Sequence, residues 1–190
     1  MGLPRDQISK DFNSPFSITL ETKLTMFQYK TLHDIVFTES KLFKAKLPSG
    51  DLCYLCLKTT QDLKHMLVSC PVVTEFWKIF LKWYETLTTA KLELSTVKIL
   101  CGIIENDRFL KLTNHILLIA KYYIYCCSIN KEPLYFCTYL TIVISKAEIE
   151  KQISTRTNSN ERYYNKWKPL IDKEFVTWGC LLLFFVLCGI

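Results

Sequence analysis

The chain has 190 residues, of which 24 are Lys or Arg and 18 are Asp or Glu, so its formal net charge is +6. A hydrophobic share of 49% excludes wholesale disorder, and a content of 5 Gly and 6 Pro excludes a collagen-like or low-complexity chain. The length suits one ordinary domain, and the modest positive charge permits contact with nucleic acid or an anionic membrane without requiring either.

The first half of the chain begins with a lead-in strand or loop and then becomes helical. Apolar residues at spacings near three and four predict a helix that begins at about Leu24, with apolar positions continuing to Val36. A second, short helix is predicted over residues 39–46, with Leu42 and Phe43 facing inward. The class that these patterns indicate is mainly α.

Turn and capping signals divide the rest of the chain. A turn with Pro and Gly is expected over 47–51, and Thr59 with Asp62 forms a weak capping box for a helix that ends near Val68. The remaining predictions are a helix over 72–87, an apolar run over 97–104 that fits a strand or a helix, helices over 109–127 and 133–154, a polar break over 155–160, and a short amphipathic helix over 162–170.

The role of the 9 cysteines depends on whether the protein resides in a reducing or an oxidising cellular compartment. No apolar stretch follows the first charged residues, so the N-terminus does not read as a signal peptide, and we expect an intracellular protein, nuclear or cytoplasmic. Its thiols should stay reduced. Closely spaced cysteines in such a chain indicate metal ligands before they indicate disulfides.

One cluster has metal-ligand spacing: Cys53-x2-Cys56-x8-His65-x4-Cys70. Two thiolates three residues apart can converge on one point, and three sulfurs with one imidazole nitrogen make a closed tetrahedral zinc shell without a catalytic water. We predict one structural Zn²⁺ per chain, which would contribute a large part of the folding free energy. The alternative is that these four residues are ordinary buried side chains with a coincidental spacing.

Several short motifs surround this cluster. They are Phe27-Gln28-Tyr29-Lys30, Leu32-His33, Leu42-Phe43-Lys44, the four ligands, Cys70-Pro71-Val72-Val73 and Phe76-Trp77. Together they resemble the zinc-binding region at the C-terminal end of LINE-type (non-LTR) retrotransposon reverse transcriptases. The resemblance covers roughly residues 24–170 and is most specific near the predicted ligands, with looser pieces at 117–125, 148–151 and 166–169.

The resemblance implies a role in holding template RNA or target DNA, and it does not imply catalysis. A polymerase needs paired Asp residues for its metal ions, and the sequence has no Asp-Asp dipeptide and no room for the polymerase or endonuclease regions. We therefore expect a non-enzymatic module without a small-molecule substrate. It looks like a detached C-terminal fragment with its own start Met.

Two basic patches are candidates for contact with RNA or single-stranded DNA, because cations follow phosphates and aromatic rings can stack on unpaired bases. The alternative for each patch is an ordinary solvated helix face. The first patch consists of Lys41, Lys44, Lys46, Lys58 and Lys64, and the second of Arg156, Arg162, Lys166 and Lys168 with Tyr163, Tyr164 and Trp167.

The C-terminal segment 175–190 is uncharged over its 16 residues. A bilayer-spanning helix needs about 20 residues, with a range of roughly 17–25, so this segment falls just short. It fits a membrane tail anchor, a helix packed on the core, or a sequence appended by translation past an original reading frame.

These observations predict a small CCHC zinc knuckle inside a helical domain, followed by a hydrophobic C-terminal segment. The predicted function is a non-enzymatic zinc-binding module that binds RNA or single-stranded DNA. The alternatives are a tail-anchored membrane polypeptide and a non-functional retrotransposon relic. The predicted divisions are 1–23 as a lead-in, 24–95 as the zinc-binding domain, 96–170 as a helical extension and 171–190 as the hydrophobic tail.

Overall fold

Helices account for most of the chain in the computed structural model, which describes residues 18–47, 50–103 and 108–173. Pairing of extended backbone among these residues is limited to an isolated antiparallel bridge between Leu52 and Thr60. The prediction of a mainly α protein is confirmed. The helices are α1 (Thr22–Leu32), α2 (Glu39–Lys44), α3 (Pro71–Thr88), α4 (Thr96–Cys101), α5 (Leu110–Asn130), α6 (Phe136–Arg156) and α7 (Asn160–Asp172), with a single π-turn at His65–Ser69 before α3.

The two N-terminal helices are shorter than their apolar patterns predicted. Helix α1 ends at Leu32, because the left-handed backbone of Asp34 (φ 52°) turns the chain away before Val36. Val36 is still buried, whereas Phe43 is 54% exposed, so the prediction that Phe43 faces inward is wrong. The reason is that α2 is buried only at its first residue, Glu39, and its last turn extends into solvent.

The apolar run over 97–104, which fitted a strand or a helix, forms helix α4 as far as Cys101, and Gly102 and Ile103 follow outside the helix. Ser95 caps this helix by accepting a hydrogen bond from the Lys98 backbone N–H at 3.2 Å. The predicted lead-in up to residue 17, the centre of the predicted turn at 48–49 and the predicted tail at 175–190 lie outside the described residues.

The chain divides into two compact units, and the first consists of residues 1–75 and 94–134. Its centre is α5, which is buried on nearly all sides between residues 112 and 124, and α1 and the π-turn pack against it. Helix α4 contacts both α1 and the π-turn. Residues 94–134 therefore share one unit with the predicted zinc ligands. The predicted domain boundaries along the chain stay a prediction.

The second unit consists of residues 76–93 and 135–190, and its core is aromatic. Phe76, Phe80 and Trp83, one helical turn apart on α3, surround Tyr139 of α6 with ring centroids 5.4 to 6.1 Å from its ring. Such pairs add roughly 0.5–1.5 kcal/mol each beyond the burial of their area. Helix α7 packs on α6.

Within the described ranges, no helix has both the length and the hydropathy that crossing a bilayer demands.

Candidate metal centre

Four side chains from the cysteine loop and the helical turn that follows it converge in the first unit. The ligand atoms of Cys53, Cys56, His65 and Cys70 all lie within 4.8 Å of one another. The Sγ atoms of Cys53 and Cys70 are 3.9 Å apart, and the Sγ of Cys56 is 3.3 Å from the Nε2 of His65. Cys53 and Cys70 are fully buried, and Cys56 is half-buried.

A tight loop brings the first two cysteines together. The bridge between Leu52 and Thr60 closes the loop, and the Cys53 N–H donates to the Thr59 carbonyl at 2.8 Å. The Leu57 N–H then donates to the Cys53 carbonyl at 2.8 Å, which folds Cys56 back toward Cys53. Leu57 completes the turn by adopting a left-handed backbone conformation (φ 55°), which costs a non-glycine residue roughly 1–2 kcal/mol.

A π-turn brings His65 and Cys70 to the same side. Five residues along a regular α-helix would place them about 140° apart around the axis, at 3.6 residues per turn. Here the Cys70 N–H donates to the His65 carbonyl at 2.9 Å, an i to i+5 bond that widens the turn by one residue. π-turns of this kind occur frequently at functional sites.

The start of this helical turn differs in detail from the predicted capping box. The Asp62 carboxylate accepts the His65 backbone N–H at 2.6 Å, so Asp62 itself caps the turn. Thr59, the predicted cap, instead lies with its hydroxyl 3.3 Å from the His65 ring nitrogens, where it orients the imidazole. At the other end Pro71 opens α3 directly after Cys70, as predicted.

Gln61 connects the metal-ligand cluster to helices α2 and α5, a role that no sequence motif indicates. Its side chain is fully buried, and its Nε2 donates to the Cys53 Sγ at 3.5 Å and to the Ser128 hydroxyl of α5 at 2.9 Å. Its Oε1 accepts the Glu39 backbone N–H of α2 at 3.3 Å. Glu39 is in turn paired with Lys131, at the end of α5. The position of Cys53 is thereby coupled to two helices.

The thiols differ in how readily they ionise. Burial opposes ionisation of Cys56, but hydrogen bonds from the Lys58 backbone and the His65 side chain outweigh it and lower the pKa of Cys56 to about 6. Burial raises the pKa of Cys70 to about 12, although the Val73 backbone N–H at the start of α3 counteracts part of this effect. A cation bound among these groups would favour the thiolate form of both, and binding it would release protons.

The donor set and its spacing fit a structural Zn²⁺ site. A zinc tetrahedron with Zn–S bonds of about 2.3 Å has S···S edges of about 3.8 Å and S···N edges of about 3.6 Å. The 3.9 Å and 3.3 Å separations between Cys53 and Cys70 and between Cys56 and His65 are close to these edges. Four protein ligands fill the shell, so such a site has no open position for substrate or water.

The lysines of the first predicted patch differ in their surroundings. Lys41 donates to the Asp34 carboxylate at 2.7 Å and to the Val36 carbonyl at 3.2 Å, so it holds the loop between α1 and α2. The other four, Lys44, Lys46, Lys58 and Lys64, are exposed on or near α2 and the cysteine loop. Their role in nucleic-acid binding stays a prediction.

In the second predicted patch, only one of the three aromatic rings that were predicted to stack on bases is accessible to solvent. Trp167 is fully buried and donates its indole N–H to the Glu150 carboxylate at 2.6 Å, and Tyr163 is 5% exposed. Lys166 is paired with the same Glu150 at 3.0 Å. Tyr164 is 52% exposed. Trp167 and Tyr163 are therefore core residues and cannot stack on bases.

The fold and the site together define a small helical protein with a Cys₃His metal-binding group that can hold zinc. Residues 4–77 of the chain match the protein family described as zinc-binding in reverse transcriptase. This match supports a reverse-transcriptase zinc-binding domain in that part of the chain, and all four converging ligands lie within it. The matched family is the zinc-binding domain and not the catalytic polymerase domain. No curated protein and no solved structure matches the chain.

Proposed function

We propose that the chain is a non-enzymatic zinc-binding module, derived from the C-terminal region of a LINE-type reverse transcriptase, that binds RNA or single-stranded DNA. The observation that carries the proposal is the convergence of Cys53, Cys56, His65 and Cys70 within the matched segment. One Zn²⁺ per chain would fix the cysteine loop against the π-turn and the start of α3. Its role would be structural, because the four ligands complete its coordination.

The nucleic-acid part of the proposal is supported by charge next to the metal centre. Lys44, Lys46, Lys58 and Lys64 are exposed, and two of them lie in or just after the cysteine loop that zinc would order. Lysines act as point charges on phosphates, so binding through them should depend strongly on salt and weakly on sequence. The LINE-type origin is supported by the motif pieces around the ligands, from Phe27 to Trp77.

The test is a titration of a fluorescently labelled, 20-nucleotide single-stranded RNA with the zinc-loaded full chain at several salt concentrations. Replacing Lys44, Lys46, Lys58 and Lys64 by Gln should weaken binding and reduce the salt slope, by about 0.7 for each lost phosphate contact. The matched control replaces Lys82, Lys91, Lys111 and Lys173, four exposed lysines outside both predicted patches. Equal weakening by the two variants would overturn the assignment of these lysines, and an absence of binding by the wild type would overturn the nucleic-acid function.

A further inference from the structure

A groove on the first unit combines cations and aromatic rings, and the sequence did not indicate it. It has a volume of about 210 Å³ and lies between one face of α1 and the middle of α5. Helix α1 contributes Lys23, Phe27 and Lys30, which are four and three residues apart and so share a helix face. Helix α5 contributes Tyr122 and Tyr125.

The inner wall of the groove is built from aromatic rings in mutual contact. Phe27, only 4% exposed, forms the floor, and its ring centroid is 5.2 Å from those of both Tyr122 and Tyr125. The two tyrosine rings are themselves 6.2 Å apart and half-buried. At the rim the side chain of Phe37 is 58% exposed. The wall is held by packing, while parts of its rings stay accessible.

The two lysines place positive charge at both ends of this wall. Lys23 and Lys30 are seven residues apart on α1, which is roughly 10 Å along the helix axis. The Lys23 Nζ lies 5.0 Å from the centroid of the Tyr122 ring, and a hydrogen bond with the Tyr122 hydroxyl raises the pKa of Lys23. Charge interactions with Cys126 and Glu21 raise the pKa of Lys23 further. Among the described residues, no carboxylate forms an ion pair with Lys30.

We propose that this groove binds an unpaired nucleotide of single-stranded RNA or DNA, with the base against Tyr122, Tyr125 and Phe37 and the flanking phosphates on Lys23 and Lys30. The groove is smaller than the roughly 300–1,000 Å³ that drug-sized ligands occupy, so it suits one planar base with its backbone outside. Stacking surfaces beside cations are the combination that single-strand binding uses. The inference rests on the proposed function for its ligand class, and it assigns a site separate from the predicted lysine patch.

The groove residues have distinguishable roles in the same binding assay. The Tyr125→Leu variant keeps an apolar filling but removes a stacking face, so binding should weaken about 5- to 150-fold with an unchanged salt slope. Phe37→Ala, at an exposed rim position, should also weaken binding without a risk to folding. Replacing Lys23 and Lys30 by Gln should reduce the salt slope by about 1.4.

The experiment uses the zinc-loaded full chain, a labelled 12-nucleotide oligouridine and the matching oligothymidine. The controls are Tyr135→Leu, an exposed tyrosine that does not line the groove, and a Gln replacement of the exposed pair Lys82 and Lys91. Zinc content and helicity are measured for each variant. Weakening by Tyr125→Leu or Phe37→Ala but not by Tyr135→Leu would support the proposal.

Two other results would overturn the proposal, and they separate it from the proposed function. If only the variant at Lys44, Lys46, Lys58 and Lys64 weakens binding, the groove assignment fails and the nucleic-acid function survives. If the wild type binds an oligoglutamate peptide but neither oligonucleotide, both fail, and a weakening of that binding by the Gln replacement of Lys23 and Lys30 would make the groove a site for an acidic peptide.

Discussion

Lys121 is the most unusual charged group of the first unit, because its side chain is 2% exposed in the middle of α5. Its Nζ donates to the Gln28 Oε1 and, at 3.2 Å, to the Leu100 carbonyl. Burial lowers the pKa of Lys121 to about 7, and the nearby Cys101 thiol counteracts only part of this effect. A buried lysine with such a pKa makes the free energy of unfolding depend on pH.

The sign and size of this dependence follow from the two pKa values. The unfolded chain should titrate Lys121 near pH 10.4, so between about pH 7 and 10.4 the unfolded state binds a proton that the folded state lacks. The free energy of unfolding therefore rises with pH across this window. At pH 7 the burial penalty amounts to about 5 kcal/mol, at roughly 1.4 kcal/mol for each pKa unit.

Replacing Lys121 by Met removes this penalty but leaves the Gln28 Oε1 without its donor, which costs about 1–3 kcal/mol. The Leu100 carbonyl still accepts from the Gln28 Nε2 at 2.9 Å. The variant should be more stable than the wild type by about 2–4 kcal/mol at pH 7, and less stable by about 0.5–2 kcal/mol near pH 10, where a small part of the penalty remains. The stability difference changes sign because only the wild type gains stability as the pH rises.

The assay is guanidinium denaturation of the wild type and of Lys121→Met, each with the same zinc concentration, at pH 7, 8, 9 and 10. The metal centre is the same in both proteins, so its own pH dependence cancels in the difference. Lys111→Met, at an exposed position of the same helix, is the control and should change stability by less than about 0.5 kcal/mol. A stability difference that does not vary with pH, or a variant less stable than the wild type at pH 7, would show that burial does not lower the pKa of Lys121 to about 7.

Three further substitutions test contacts of the metal centre and of the second unit's core. Gln61→Leu should lower zinc affinity about 10- to 100-fold in a chelator competition, because Cys53 loses a hydrogen bond that positions it; an unchanged affinity would show that the loop alone positions Cys53. Leu57→Gly should raise the free energy of unfolding by roughly 0.5–1 kcal/mol by relieving the left-handed backbone, whereas Leu57→Ala, which keeps a Cβ, should give no gain. In the second unit, Trp167→Phe should cost about 1.5–3 kcal/mol in urea denaturation, because the Glu150 carboxylate loses its indole donor; a cost below 0.5 kcal/mol would contradict this.

The helices and the four converging residues were accessible from the sequence because their signals are local. Helix α3 follows the predicted apolar periodicity closely, and the spacing of Cys53, Cys56, His65 and Cys70 singled out the group that the structure brings together. Trp167 was also accessible in principle. It shares a helix face with Tyr163 and Leu170, which is the stripe of a buried side rather than of a stacking surface.

The features that sequence reasoning missed depend on contacts between distant parts of the chain. Lys23 and Tyr122 are brought together by the packing of α1 on α5, and neither segment alone predicts a groove. Lys121 resembles an ordinary solvated lysine until Gln28 and Leu100 are placed beside it. The π-turn at His65–Ser69 has no local sequence signal. The choice between a regular α-helical turn and a π-turn depends on where the loop places Cys53 and Cys56.

A zinc ion should join the cysteine loop to the π-turn, and elemental analysis of the purified full chain measures this without any assumption about nucleic acid. We expect one zinc per wild-type chain, and no zinc and a lower melting temperature in the variant with Cys53→Ser and Cys56→Ser. A wild type that keeps its helicity without bound metal, or a double variant that retains zinc at the wild-type level, would contradict it.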